Sequence, residues 1–127
     1  STTQEEIPPI NVLLISANIE AGRKIARKCM SCHTFDQGGK NKVGPNLWDI
    51  LGAEKAQVVG FSYSTAMTED SGIWSYMALD AFLANPRAAV KGTKMTFAGL
   101  KNPHDRANLI GYLRILSESP LTPPTSE

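Results

Sequence analysis

The chain has 127 residues, 42% of them hydrophobic and 20% charged, a balance that suits a single globular core. A formal net charge of +1 excludes a general electrostatic pull toward nucleic acid or an anionic membrane surface. No apolar run approaches the ~20 residues that a membrane-spanning helix requires, and the stretch Val12 to Ile15 falls far short.

The distribution of charge says more than its sum. All thirteen Lys and Arg lie between Arg23 and Arg114, whereas only eight of the twelve acids fall in the central stretch from Glu20 to Asp105. Arg87, Lys91, Lys94, Lys101, Arg106 and Arg114 share their stretch with Asp105 alone, whereas Asp49, Glu54, Glu69, Asp70 and Asp80 share theirs with Lys55 alone. The sequence is charge-polarised.

In chain order, residues 1–17 open with a polar segment interrupted by Pro8 and Pro9 and read as an N-terminal tail or tether. Asn18 is placed to cap a helix running to about Lys28, with Glu20 in the first turn where the helix dipole favours an anion. From Phe35 to Val59, Gly38-Gly39, Gly44-Pro45 and Gly52 with few periodic apolar residues predict an ordered loop, which needs something to pack on. Leu79, Phe82 and Leu83 recur at helical spacing and predict a helix over about Ser75 to Ala84, ended by Asn85-Pro86 because proline disfavours the α conformation before it. A loop is expected from there to Leu100.

The last helix has the clearest start: Asn102 as cap, Pro103 at the first helical position and Asp105 in the first turn, with Leu109, Leu113 and Leu116 on one face and an end near Ser117. Pro120, Pro123 and Pro124 mark residues 119–127 as a C-terminal tail. No alternation rivals these helices and no internal repeat is found, so the fold class is all-α with long loops, its working domain at residues 18–118.

The two cysteines form Cys29-Met30-Ser31-Cys32-His33, the C-x-x-C-H signature of c-type haem attachment. On one helical turn the i and i+3 thiols share a face, where each can add to a haem vinyl group, and His33 follows to reach the iron. A zinc site normally wants four ligands and would have only His104 to add, and a thioredoxin-like dithiol wants a βαβ context that is not visible. One covalent haem c is therefore the expected cofactor, with His33 as a metal ligand.

A low-spin carrier fills its second axial position with Met or His. Met30 lies inside the attachment motif and Met77 on a predicted helix, where core packing is the simpler role. His104, between Pro103 and Asp105, reads as a solvated side chain. Met67 is a further candidate. The loop Lys91-Gly92-Thr93-Lys94-Met95-Thr96-Phe97-Ala98-Gly99 favours Met95, because its glycines let backbone approach a flat ring.

With these stretches, and with Lys42-Val43-Gly44-Pro45-Asn46-Leu47, Gly60-Phe61-Ser62-Tyr63, Gly72-Ile73-Trp74 and Asn85-Pro86 in the same order, the chain resembles the class I cytochrome c family over about residues 18–118. The resemblance implies three main helices and long loops wrapped around one haem, with Met95 as distal ligand and the Pro45 carbonyl accepting a hydrogen bond from the His33 ring. It also implies Tyr63 and Trp74 at the haem propionates, Thr93 and Phe82 near the methionine side, and Phe97 beside the exposed haem edge. Tight crossing of the terminal helices would bring Gly22 and Ala26 against Leu109, Gly111 and Tyr112. Ala26 stands where an aromatic residue is common, Ala53 where a propionate-binding Arg often stands, and Met67 where Asn is common in mitochondrial members.

By the same resemblance the chain is an electron-transfer protein, not an enzyme, with both axial sites filled and no open position for substrate. It would pass electrons from a cytochrome bc complex to a terminal oxidase in a respiratory chain, as a monomer, with Lys28, Arg87, Lys94 and Lys101 steering acidic partners. The lead-in Ile10 to Asn18 and the segment Phe61 to Met67 resemble the membrane-anchored bacterial branch, so an anchor before Ser1 and a periplasmic location are expected. The rival is a gas-binding or peroxidase-like haem protein from which Met95 dissociates readily.

Overall fold

The computed structural model describes residues 8–124. Among the described residues six helices follow one another: α1 (Ile10–Ile15), α2 (Ile19–Ala26), α3 (Thr65–Glu69), α4 (Tyr76–Ala84), α5 (Pro86–Ala89) and α6 (Pro103–Ile115). A 3₁₀ turn, Arg27–Cys29, continues α2. Among the described residues the sheet content is one antiparallel bridge, Glu54 to Ile73, so the all-α class with long loops holds.

Each long helix starts on the side chain its sequence supplies. Asn18 accepts from the Ala21 N–H at 2.9 Å, Ser75 from Ala78 at 3.1 Å and Asn102 from His104 at 2.8 Å, each satisfying an amide that has no partner within the helix. Ser64 caps α3 in the same way, from Met67, and Asn85 caps α5 from Ala88. Residues 85–100 are therefore not wholly loop: the Pro86 that ends α4 also opens a further turn, because its fixed φ suits the first helical position. The last helix stops at Ile115, two residues before the expected Ser117.

The most extensive helix contact is α2 across α6. It is close because Gly22 has no side chain: a Cβ there would stand 1.9 Å from the Asn108 carbonyl oxygen. Ala26, Ala107, Leu109 and Ile110 bury around it. Gly111 opens toward Ala17 and Ile19 instead, so the two glycines of the expected crossing serve different neighbours.

Reading residues 1–17 as a tail needs correction over their described part. Residues 10–15 form α1, which packs on α6 and α4 with Ile10 and Leu13 buried in the core. Ile10 and the short run Val12 to Ile15, interrupted by Asn11 and bounded by Pro9 and Ser16, carry too little periodicity to announce a buried turn. Residues 1–7 lie outside the described residues.

The C-terminal tail is likewise tied down over its described part. The Tyr76 hydroxyl donates to the Leu121 or Thr122 carbonyl at 3.1 and 2.9 Å, and Arg114 Nε donates to the Leu121 carbonyl at 2.7 Å. Residues 125–127 lie outside the described residues.

Candidate functional site

Cys29 to His33 make a helical turn, closed by the Cys32 and His33 N–H groups donating to the Cys29 carbonyl at 3.1 and 2.9 Å. The turn sets the two thiols one above the other, and neither is in a disulfide. Cys29 packs against the core and burial pushes its thiol pKa up, whereas Cys32 touches Ser31 Oγ at 3.7 Å.

The His33 ring is held from two sides. Its Nδ1 lies 2.7 Å from the Pro45 carbonyl, and a carbonyl can only accept, so Nδ1 carries the proton and Nε2 is left with its lone pair. Gly44 packs on the same ring, where a Cβ would sit 2.3 Å from Cε1. Burial lowers the His33 pKa, against the Pro45 hydrogen bond that raises it, and the neutral form is the one that ligates metal.

The loop carrying Gly44 and Pro45 is fixed to the attachment turn. Gly44 N–H donates to the Cys32 carbonyl at 2.7 Å and Leu47 N–H to the Thr34 carbonyl at 2.8 Å. Asn46 Nδ2 donates to Thr34 Oγ1 and the Asp36 carbonyl at 2.8 and 2.9 Å. Neither Gly44 nor Asn46 was singled out from the sequence as a site residue. Their place inside the Gly44-Pro45-Asn46 turn was the available signal.

Cys29, Leu47, Met67, Met95 and Phe97 all border the one core cluster that contains Trp74 and Phe82. Thr93 Oγ1 accepts from the Met95 N–H at 3.2 Å, holding the loop that presents the thioether. Trp74 and Phe82 meet edge to face at 5.2 Å. Tyr63 stands against Phe61 at 4.8 Å, and its oxygen accepts from the Val58 N–H at 2.9 Å, which leaves its own proton free to donate. Burial raises the Tyr63 pKa and keeps that proton on.

The four basic residues expected to face partners divide. Lys28, Arg87 and Lys101 are exposed, and among the described residues they form no ion pair. Lys94 is exposed with its ammonium 3.4 Å from the Ser62 carbonyl. Arg106, by contrast, is turned inward onto Asp80 at 2.6 Å and onto the Leu100 and Lys101 carbonyls at 2.8 and 3.1 Å. It therefore contributes less to the basic face than its place in the sequence suggested.

These residues fit a covalently held haem: two free thiols on one turn, an imidazole presenting Nε2 alone, and a glycine flush against that imidazole.

Comparison with known proteins agrees. No family model matches the chain. A cytochrome c homolog of Rickettsia felis is 43% identical over 116 residues, covering 90% of this chain and 66% of its own length. A cytochrome c homolog of Bradyrhizobium diazoefficiens is 44% identical over 119 residues, covering 93% of this chain and 65% of its own. The chain thus spans about two thirds of the length of these curated relatives. Among solved structures, cytochrome cH from Methylobacterium extorquens superposes with a TM-score of 0.74 at 34% identity, over 78% of this chain and 99% of that one.

Proposed function

We propose that this chain, which belongs to the class I cytochrome c family, is a one-electron carrier in which Cys29 and Cys32 would hold haem c covalently and His33 and Met95 would ligate its iron. The observation that carries the reading is the His33 ring, fixed by Pro45 and Gly44 so that only Nε2 is offered to a metal. Haem c, when bound, supplies an iron that gains and loses one electron without taking up substrate.

The chain's own residues do the rest. Pro45 fixes the tautomer of His33 and raises its basicity as a donor. Thr93 restrains the Met95 loop. Trp74, Phe82 and Phe97 keep water from the apolar interior, and the Tyr63 hydroxyl and Trp74 indole offer hydrogen-bond donors to the cofactor's carboxylates.

The route we infer runs from a cytochrome bc complex to a terminal oxidase on the periplasmic side of a membrane, with Lys28, Arg87, Lys94 and Lys101 steering acidic partners. Exposed cations without ion partners support it, since such charges raise encounter rates and weaken with salt. No helix among the described residues is long and apolar enough to cross a membrane. The likeness of the Ile10 to Asn18 and Phe61 to Met67 segments to the membrane-anchored branch is what supports attachment through an N-terminal anchor.

The test is optical and kinetic. The ferric holoprotein should show a methionine–iron charge-transfer band, and the ferrous form should not bind carbon monoxide at neutral pH. Its oxidation by purified oxidase should slow as ionic strength rises. Rapid carbon monoxide binding would overturn the His/Met reading, and salt-independent oxidation would overturn the basic docking face.

A further inference from the structure

Trp74 is 94% buried, its main chain clamped on both sides: its N–H donates to the Ala53 carbonyl at 2.8 Å and its carbonyl accepts from Gly52 at 2.8 Å. Lys55 extends the same ribbon, its N–H donating to the Gly72 carbonyl at 3.0 Å. The Lys55 side chain then folds back, only 12% exposed, with Nζ 3.1 Å from Asp70 Oδ2 and 4.8 Å from the centre of the Trp74 ring. Phe82 meets the indole edge to face.

Two features set this arrangement apart from an ordinary surface ion pair. An ammonium this far buried loses much of its hydration and needs the Asp70 carboxylate and the indole face in its place. The indole N–H has no acceptor among the described residues, yet no fully buried side-chain nitrogen or oxygen there lacks a partner. The N–H therefore borders space that a further acceptor can enter.

A cation on the face of an indole draws electron density from the ring and makes its N–H a stronger donor. We propose that Lys55 is a positioning residue for Trp74, its ammonium, anchored by Asp70, fixing the indole and strengthening the N–H as a donor to a cofactor carboxylate. This rests on the reading of Trp74 as a haem-carboxylate contact. It assigns a second tuning element beside Ala53, the position where the family often carries an arginine.

The test uses the holoprotein with Lys55→Met, Lys55→Arg, Trp74→Phe and the Lys55→Met/Trp74→Phe pair. It reads the midpoint potential and the ultraviolet Raman band that reports hydrogen bonding of the Trp74 indole N–H. Loss of the cation leaves the carboxylate less compensated and favours ferric iron. Lys55→Met should therefore weaken the bonded signature and shift the redox equilibrium by up to about tenfold, ~59 mV downward for one electron. Lys55→Arg should restore both.

In the Trp74→Phe background the Lys55→Met shift should largely vanish. A bonded signature that survives Lys55→Met, or fully additive potential shifts, would overturn the proposal while leaving the carboxylate contact standing. An unbonded indole signature in the parent protein would overturn that contact and the proposal with it. Lys55→Met/Asp70→Asn removes the carboxylate that the single variant leaves unpaired, and should reproduce the weakened signature. Recovery of the parent signature in that variant would overturn the role of the ammonium.

Discussion

Substituting Gly22 by alanine tests whether the terminal helix crossing depends on backbone contact. The added Cβ would lie 1.9 Å from the Asn108 carbonyl oxygen, 1.5 Å short of the 3.4 Å at which ordinary contact begins, and 3.0 Å from Tyr112 Cβ. No rotamer can relieve this, because the opposing atom belongs to the backbone of α6. The helices must separate, loosening the packing of Ala26, Leu109 and Ile110. Separation would also strain the Asn18 N–H to Asn108 Oδ1 bond at 2.9 Å.

Overpacking of this kind costs about 1–3 kcal/mol, and contact with main chain puts it at about 3. Alanine returns up to about 1 kcal/mol of helix propensity. The net of about 2 kcal/mol should lower the Tm of the ferric holoprotein by roughly 8 °C, followed by far-UV circular dichroism. The comparison is Gly38→Ala, where φ is +75° and nothing lies within 4 Å, so only the left-handed backbone cost of about 1 kcal/mol applies. A Tm for Gly22→Ala equal to or above the parent's would refute the reasoning.

Arg106→Met leaves Asp80 without its guanidinium and two carbonyls without their donor, and should cost about 2–3 kcal/mol in urea unfolding; a loss below about 0.5 kcal/mol would mark the pair as inert. Tyr76 is buried, which raises its pKa above the ordinary tyrosine range, so the protonated phenol favours the fold. Its contribution is fully present below the unfolded value of about 10 and lost as pH climbs through the raised folded value. Tm should therefore fall more steeply above pH 10 in the parent than in Tyr76→Phe, and parallel curves would contradict this. Gly44→Ala would drive a methyl group into the His33 ring and displace it from Pro45, and should shift the midpoint potential and the Soret spectrum; unchanged values of both would count against ring positioning by Gly44. Ala53→Arg adds a cation at the residue whose carbonyl accepts from the Trp74 N–H and should raise the midpoint potential by up to about 60 mV, whereas an unchanged or lower value would refute a tuning role for this position.

What the amino-acid sequence determined by itself was whatever depends on neighbours in the chain. The spacing of Cys29, Cys32 and His33 dictates one helical turn, and Asn18, Ser75 and Asn102 cap their helices through bonds that reach only two or three residues. Resemblance supplied the contact between Pro45 and His33, twelve residues apart, and the structure places it at 2.7 Å. Tertiary structure alone decided the rest. Ile10 and Leu13 become core only because α4 and α6 lie over them, and Arg106 leaves the basic face only because Asp80 waits 26 residues away. Lys55 reads as the lone cation of an acidic stretch until the ribbon of residues 52–55 and 72–74 lays its ammonium on Trp74. Such contacts join segments whose local patterns are silent about each other, because burial and charge pairing are properties of the packed interior and not of the order of residues.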